Sequence, residues 1–129
     1  MHRRRLTVRP AAALGLAVAA TAAPASAASV DAGRELFQKQ CAVCHATAPE
    51  HHKEGPSLAG FYGRRAGTAP FFGGYKSLKG ATFVWDEHTL DAWLADPRGF
   101  VAGKDTGMTL KIDDPAQRAA LIAYMRTLR

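Results

Sequence analysis

Cys41 and Cys44 are the only cysteines of the 129-residue chain, and His45 follows them at once. Thiols at i and i+3 share a face of one helical turn, so both sulfurs can reach the two vinyl groups of a single porphyrin. A Cys-X-X-Cys-His run is the attachment signature of a c-type haem, and His45, lying beneath the ring, would offer Nε2 to the iron. A disulfide between Cys41 and Cys44 is the competing fate, and haem attachment consumes both thiols.

Haem iron has a second axial position. The side chains able to take it are Met108, Met125, His51, His52, His88 and the lysines. Met125 lies on an apolar stripe and reads as core. Met108 sits in a glycine-flanked loop where a long apolar side chain has little packing reason to be, so it reads as the sixth ligand, with gap filling as the alternative. His45 needs its other ring nitrogen oriented, commonly by a backbone carbonyl, and Pro56, just after Gly55, has a free one. Buried propionates need donors. Arg64, Tyr75 and Trp85 offer a guanidinium, a hydroxyl and an indole N–H, although the arginine also fits solvated surface and the tryptophan core.

The elements that must position these groups are helical. Gly33, Leu36, Phe37 and Gln40 recur at helical spacing and predict an amphipathic helix running into Cys41, capped by Ser29 or Asp31. Gly33 is a poor helix residue; it points to close approach by another helix or is simply tolerated. Seven of the twelve glycines fall between Gly55 and Gly80, with Pro56 and Pro70 among them, which predicts loops long enough to wrap a flat cofactor. Asp86 as N-cap, Trp85 stapled onto Leu90, and the stripe Leu90, Trp93, Leu94 ending before Asp96-Pro97 predict a helix over 87–95. A second loop should run from Arg98 to Ile112. Asp114 and Pro115 then open a last helix carrying Leu121, Tyr124, Met125 and Leu128. No strand and no internal repeat is evident, so the fold class is all-α.

The first 27 residues read differently. Arg3, Arg4, Arg5 and Arg9 precede the apolar run Ala11–Ala23, and Ala25-Ser26-Ala27 fits a small-residue cleavage site. Residues 1–27 are therefore expected to be a cleaved secretory signal, with an uncleaved anchor as the alternative, and 28–129 one small domain. The formal charge of the whole chain is +6 from seventeen basic and eleven acidic residues. Four of those basic residues and none of the acids fall in 1–27, leaving thirteen against eleven, a formal +2. Such a balance does not support nucleic-acid binding, which wants a strongly basic face.

Taken in order, Gly33 with Phe37, Cys41 to His45, Gly55-Pro56-Ser57-Leu58, Gly63-Arg64-Arg65-Ala66-Gly67, Tyr75, Trp85, the Leu90–Pro97 segment, Met108 and Leu121-Ile122-Ala123-Tyr124 resemble the class I cytochromes c over residues 30–129. These are the small soluble electron carriers of bacterial periplasms and mitochondria. The resemblance implies the cytochrome c fold, with first and last helices crossing where Gly33 and Phe37 meet Leu121 and Tyr124. It implies one haem c joined to Cys41 and Cys44, iron held by His45 and Met108, the Pro56 carbonyl on His45, and Arg64, Tyr75 and Trp85 around the propionates. It also casts His52 as a structural histidine tying two loops together. Trp93 replaces the family's tyrosine donor to the methionine sulfur, a role its indole N–H would take over. The Gly103–Met108 loop is longer than in the mitochondrial proteins, Ala102 replaces a proline, and Lys79 stands near an internal asparagine. Gln40, Gly99 and Gly107 thin the lysine ring, leaving Lys39, Lys53, Arg98, Lys104 and Lys111 as a weaker positive face.

The function implied is one-electron transfer in the periplasm by a monomer that is not an enzyme and has no stable membrane insertion. Its partners would be transient: a respiratory or photosynthetic complex, or a periplasmic dehydrogenase or oxidase. The rival is a haem c enzyme or small-gas sensor in which Met108 leaves the iron. A thiol oxidoreductase or zinc module is disfavoured by the lack of alternating strands and of paired metal-ligand spacing.

Overall fold

The computed structural model describes residues 27–129, and the expected leader lies, up to residue 26, outside the described residues. Four helices follow in order: α1 (Ala27–Gln40), α2 (Glu87–Ala95), α3 (Pro97–Phe100) and α4 (Pro115–Met125). Among the described residues there is no strand, only an isolated antiparallel bridge between Arg65 and Val84. No helix among them is long and apolar enough to cross a membrane.

The principal packing is α1 across α4, with α2 against α4 and α3 against α2. Gly33 explains why the crossing is so close. A Cβ built there would overlap the Ala120 carbonyl and lie 2.9 Å from Tyr124 Cβ, so α4 lies where a side chain would be. One turn on, buried Phe37 packs edge-on against Tyr124 with ring centroids 5.3 Å apart, and Leu121, three residues before Tyr124 on α4, is fully buried. Close approach, rather than mere tolerance, is the reason for Gly33.

Local chemistry sets most helix ends. The Asp86 carboxylate accepts from Thr89 N–H at 2.8 Å while Thr89 Oγ1 accepts from Asp86 N–H at 2.9 Å, a reciprocal cap that starts α2 where expected. Asp114 accepts from Ala116 N–H at 2.8 Å and Pro115 opens α4. Arg118 then ties α4 to α2: its Nε donates to Asp91 at 2.7 Å and its Nη1 to the Ile112 carbonyl at 2.8 Å.

Three expectations need correction. Ser29 and Asp31 do not cap α1, because both lie inside a helix that already includes Ala27. The loop expected from Arg98 is preceded and entered by α3, since Pro97 suits a first helical position and Asp96 caps it by accepting from Gly99 N–H at 3.1 Å. Finally, α4 stops at Met125, before Leu128. Thr127 N–H and Oγ1 both donate to the Tyr124 carbonyl, at 2.9 and 2.6 Å, and close the chain into a tighter turn.

Candidate haem site

The chain does not leave helical geometry at Gln40. Cys41 N–H donates to the Phe37 carbonyl at 2.8 Å and His45 N–H to the Cys41 carbonyl at 2.9 Å, so the pentapeptide forms a further turn. That turn places Cys41, Cys44 and His45 on the wall of one cavity of about 520 Å³ and leaves Val43 exposed. Cavities of this size are typical of cofactor sites.

His45 is held from two sides. Its Nδ1 lies 2.8 Å from the Pro56 carbonyl; a carbonyl only accepts, so Nδ1 carries the hydrogen and Nε2 is the bare nitrogen. Gly55 backs the ring so closely that a Cβ would come within 2.9 Å of Nε2 and 2.7 Å of Nδ1. Burial lowers the imidazole pKa, and Lys53 nearby works the same way, against the opposing effect of the Pro56 bond. The ring is therefore neutral at pH 7, the form in which it binds metal.

The thiols are shifted the other way. Burial, then the neighbouring Cys44, push Cys41 up to about 11. Burial, followed by the contact with Glu54, raises Cys44 as well. Disulfide-exchanging Cys-X-X-Cys pairs have depressed thiol pKa values, so this pair lacks their activation.

Met108 reaches the same cavity from the loop after α3. Thr106 brackets it: the Thr106 hydroxyl accepts from Met108 N–H at 2.9 Å and donates to its carbonyl at 2.5 Å. From α2, Trp93 Nε1 donates to Met108 Sδ at 3.3 Å. The indole thus makes the contact expected of it, held in place by edge-on packing against Trp85 and Phe100.

Tyr75 and Trp85 also stand on the wall, and the Tyr75 hydroxyl accepts from Ala69 N–H at 3.1 Å, keeping its own hydrogen free. Arg64 does not join them: it is absent from the wall and donates through Nη2 to the Ala59 carbonyl at 2.7 Å. Of the competing axial candidates, His51 and His88 are exposed and off the wall. His52 is off the wall too, bonded through Nε2 to the Pro70 carbonyl at 2.8 Å and through Nδ1 to Ser57 N–H at 3.0 Å. Met125 touches the wall but is packed into the core, and Lys76 is paired with Asp105. Thr106 escapes sequence reasoning. Its one signal is its place two residues before Met108, where a hydroxyl can bond the backbone just ahead.

Two thiols, a bare imidazole nitrogen and a thioether, brought to one largely apolar cavity, have the chemistry that a covalently bound haem requires of its donors. A family model for cytochrome c matches residues 30–129. The chain belongs to the cytochrome c family. Relatives include cytochrome c of Chlamydomonas reinhardtii, 37% identical over 107 residues that cover 82% of this chain and 95% of that protein. Cytochrome c2 iso-2 of Magnetospirillum fulvum is 40% identical over 88 residues, covering 68% and 91%. Ferricytochrome c2 from Rhodopseudomonas palustris superposes with a TM-score of 0.68 at 35% identity, covering 78% of this chain and 98% of that structure. As in its family, the chain has the cytochrome c fold and carries one covalently attached haem c, and it is a haem-carrying electron-transfer protein with redox partners.

Proposed function

We propose that the chain is an exported one-electron carrier whose haem is joined through Cys41 and Cys44 and whose iron is held by His45 and Met108. The observation that carries this reading is the Trp93 N–H on Met108 Sδ, in the cavity that also receives His45. When bound, the haem would supply a ferrous–ferric couple, whose potential ligation by a thioether together with an imidazole would raise.

The protein's residues keep that couple simple. Pro56 and Gly55 fix the His45 ring and its tautomer, and Trp93 and Thr106 fix Met108, so that these two side chains would hold the iron and compete with oxygen or peroxide for it. Buried Phe61, Leu90 and Leu94 exclude water from the wall and limit the reorganisation that accompanies a change of charge. The Tyr75 hydroxyl hydrogen and the Trp85 indole would serve the propionates, while Arg64 braces the Ala59 turn. Residues 1–27 direct export to the periplasm, and 28–129 act as a monomer. Its partners are transient: a respiratory or photosynthetic complex, or a periplasmic dehydrogenase or oxidase.

Absorption spectra of both redox states test the assignment. The expected result is a covalent c-type haem spectrum with the weak far-red band of a methionine-sulfur-to-ferric-iron bond. Rapid, stoichiometric binding of carbon monoxide by the reduced protein at neutral pH would overturn the carrier reading in favour of an enzyme or gas sensor.

A further inference from the structure

Thr106 fixes Met108 only with respect to its own loop. What locates that loop against the rest of the cavity is a different residue. Asp105 makes three bonds in three directions. Its carbonyl accepts from Ser77 N–H at 3.0 Å, its Oδ2 from Lys76 Nζ at 2.8 Å, and its Oδ1 from Gly107 N–H at 2.9 Å. The first two cross to the segment that brings Tyr75 and Leu78 to the wall, and the third tightens the turn immediately before Met108. Gly107 sits at φ +70, a conformation the side-chain bond stabilises.

We propose that Asp105 is a positioning residue for Met108: by clasping the Lys76–Ser77 segment and the Gly107 amide it sets where the thioether sulfur is presented. This rests on Met108 being the axial ligand. The exposed ion pair, with side chains 54% and 68% accessible, contributes little. The side chain therefore acts chiefly through the turn bond to Gly107, which sets the backbone direction into Met108, while the link to the Ser77 segment runs through the Asp105 carbonyl.

Imidazole added to the ferric holoprotein reads the effect, because it binds only where Met108 has left the iron. Asp105→Ala removes both side-chain bonds and is expected to tighten apparent imidazole binding about tenfold, with the far-red sulfur band lost at correspondingly lower imidazole. Asp105→Asn, which keeps an oxygen for Gly107 N–H, and Lys76→Gln, which removes the ion pair without bringing a second thioether to the wall, should both stay within about twofold of the parent. Asp114→Ala, which uncaps α4 away from the cavity, should lower thermal stability without changing imidazole affinity. A parent protein that lacks the far-red band overturns the Met108 assignment and Asp105's role with it. A parent that shows the band, together with an Asp105→Ala variant of unchanged imidazole affinity, overturns the role of Asp105 alone.

Discussion

Replacing Gly33 with alanine sets two known effects against each other. Within a helix, alanine is favoured over glycine by about 1 kcal/mol, so an isolated α1 would gain. In the folded protein the new Cβ would overlap the Ala120 carbonyl and approach Tyr124 Cβ to 2.9 Å. One obstacle is backbone and the other the root of a side chain, so neither can swing aside. The helices must separate, loosening the Phe37–Tyr124 ring pair and the packing of fully buried Leu121. Overpacking of this kind costs about 1–3 kcal/mol and an aromatic pair contributes about 1 kcal/mol, so the net loss should be about 2 kcal/mol. For a domain of this size that lowers Tm by roughly 8–15 °C. Because α1 runs straight into Cys41 and α4 supplies Met125 to the wall, the far-red band should also weaken on heating at a lower temperature than in the parent. Thermal and denaturant unfolding of the holoprotein measure the loss. A Tm equal to or above that of the parent would refute the argument that α4 occupies the space beside Gly33.

Three other perturbations address the site and its supports. Trp93→Phe keeps an aromatic ring but removes the N–H on Met108 Sδ; that donor draws electron density from the sulfur and disfavours ferric iron, so the variant's reduction potential should fall, by at most about 40 mV if the whole of a 1 kcal/mol bond is differential. Spectroelectrochemical titration checks this, and an unchanged or raised potential counts against it. His52→Ala removes the link between the Pro70 carbonyl and Ser57 N–H and should cost about 1–3 kcal/mol in denaturant unfolding while leaving the far-red band in place, as befits a loop tie rather than a ligand. Hydrogen bonds from Thr89 hold the Asp86 carboxyl below the usual range. Since the folded pKa lies below the unfolded one, its stabilisation is complete above pH about 4 and disappears as pH falls through the folded value, so the Tm gap between the parent and Asp86→Ala should close in acid.

Short-range chemistry makes several features legible in the sequence alone. The cap and stop around α2 lie in Asp86 and Asp96-Pro97, the start of α4 in Asp114-Pro115, and the attachment site in five consecutive residues, because each depends on atoms one turn apart. Pro56, Tyr75, Trp85 and Trp93 can be named from the resemblance, and the cavity contains all four. Other features depend on chain closure. Gly33 reads equally well as a tolerated helix residue until Ala120, 87 positions away, is found in its side-chain space. Arg64 has the chemistry of a propionate donor, yet it stands off the wall, with its Nη2 on a carbonyl five residues back, at Ala59. Nothing in the loop before Met108 advertises Asp105, whose partners Lys76 and Ser77 lie 29 and 28 residues earlier. The sequence by itself determined the Cys-X-X-Cys-His turn, both ends of α2 and the start of α4, since those bonds close within a turn. What holds the Met108 sulfur at the cavity was decided only when distant segments met across it, since a hydrogen bond between residues so far apart leaves no local pattern.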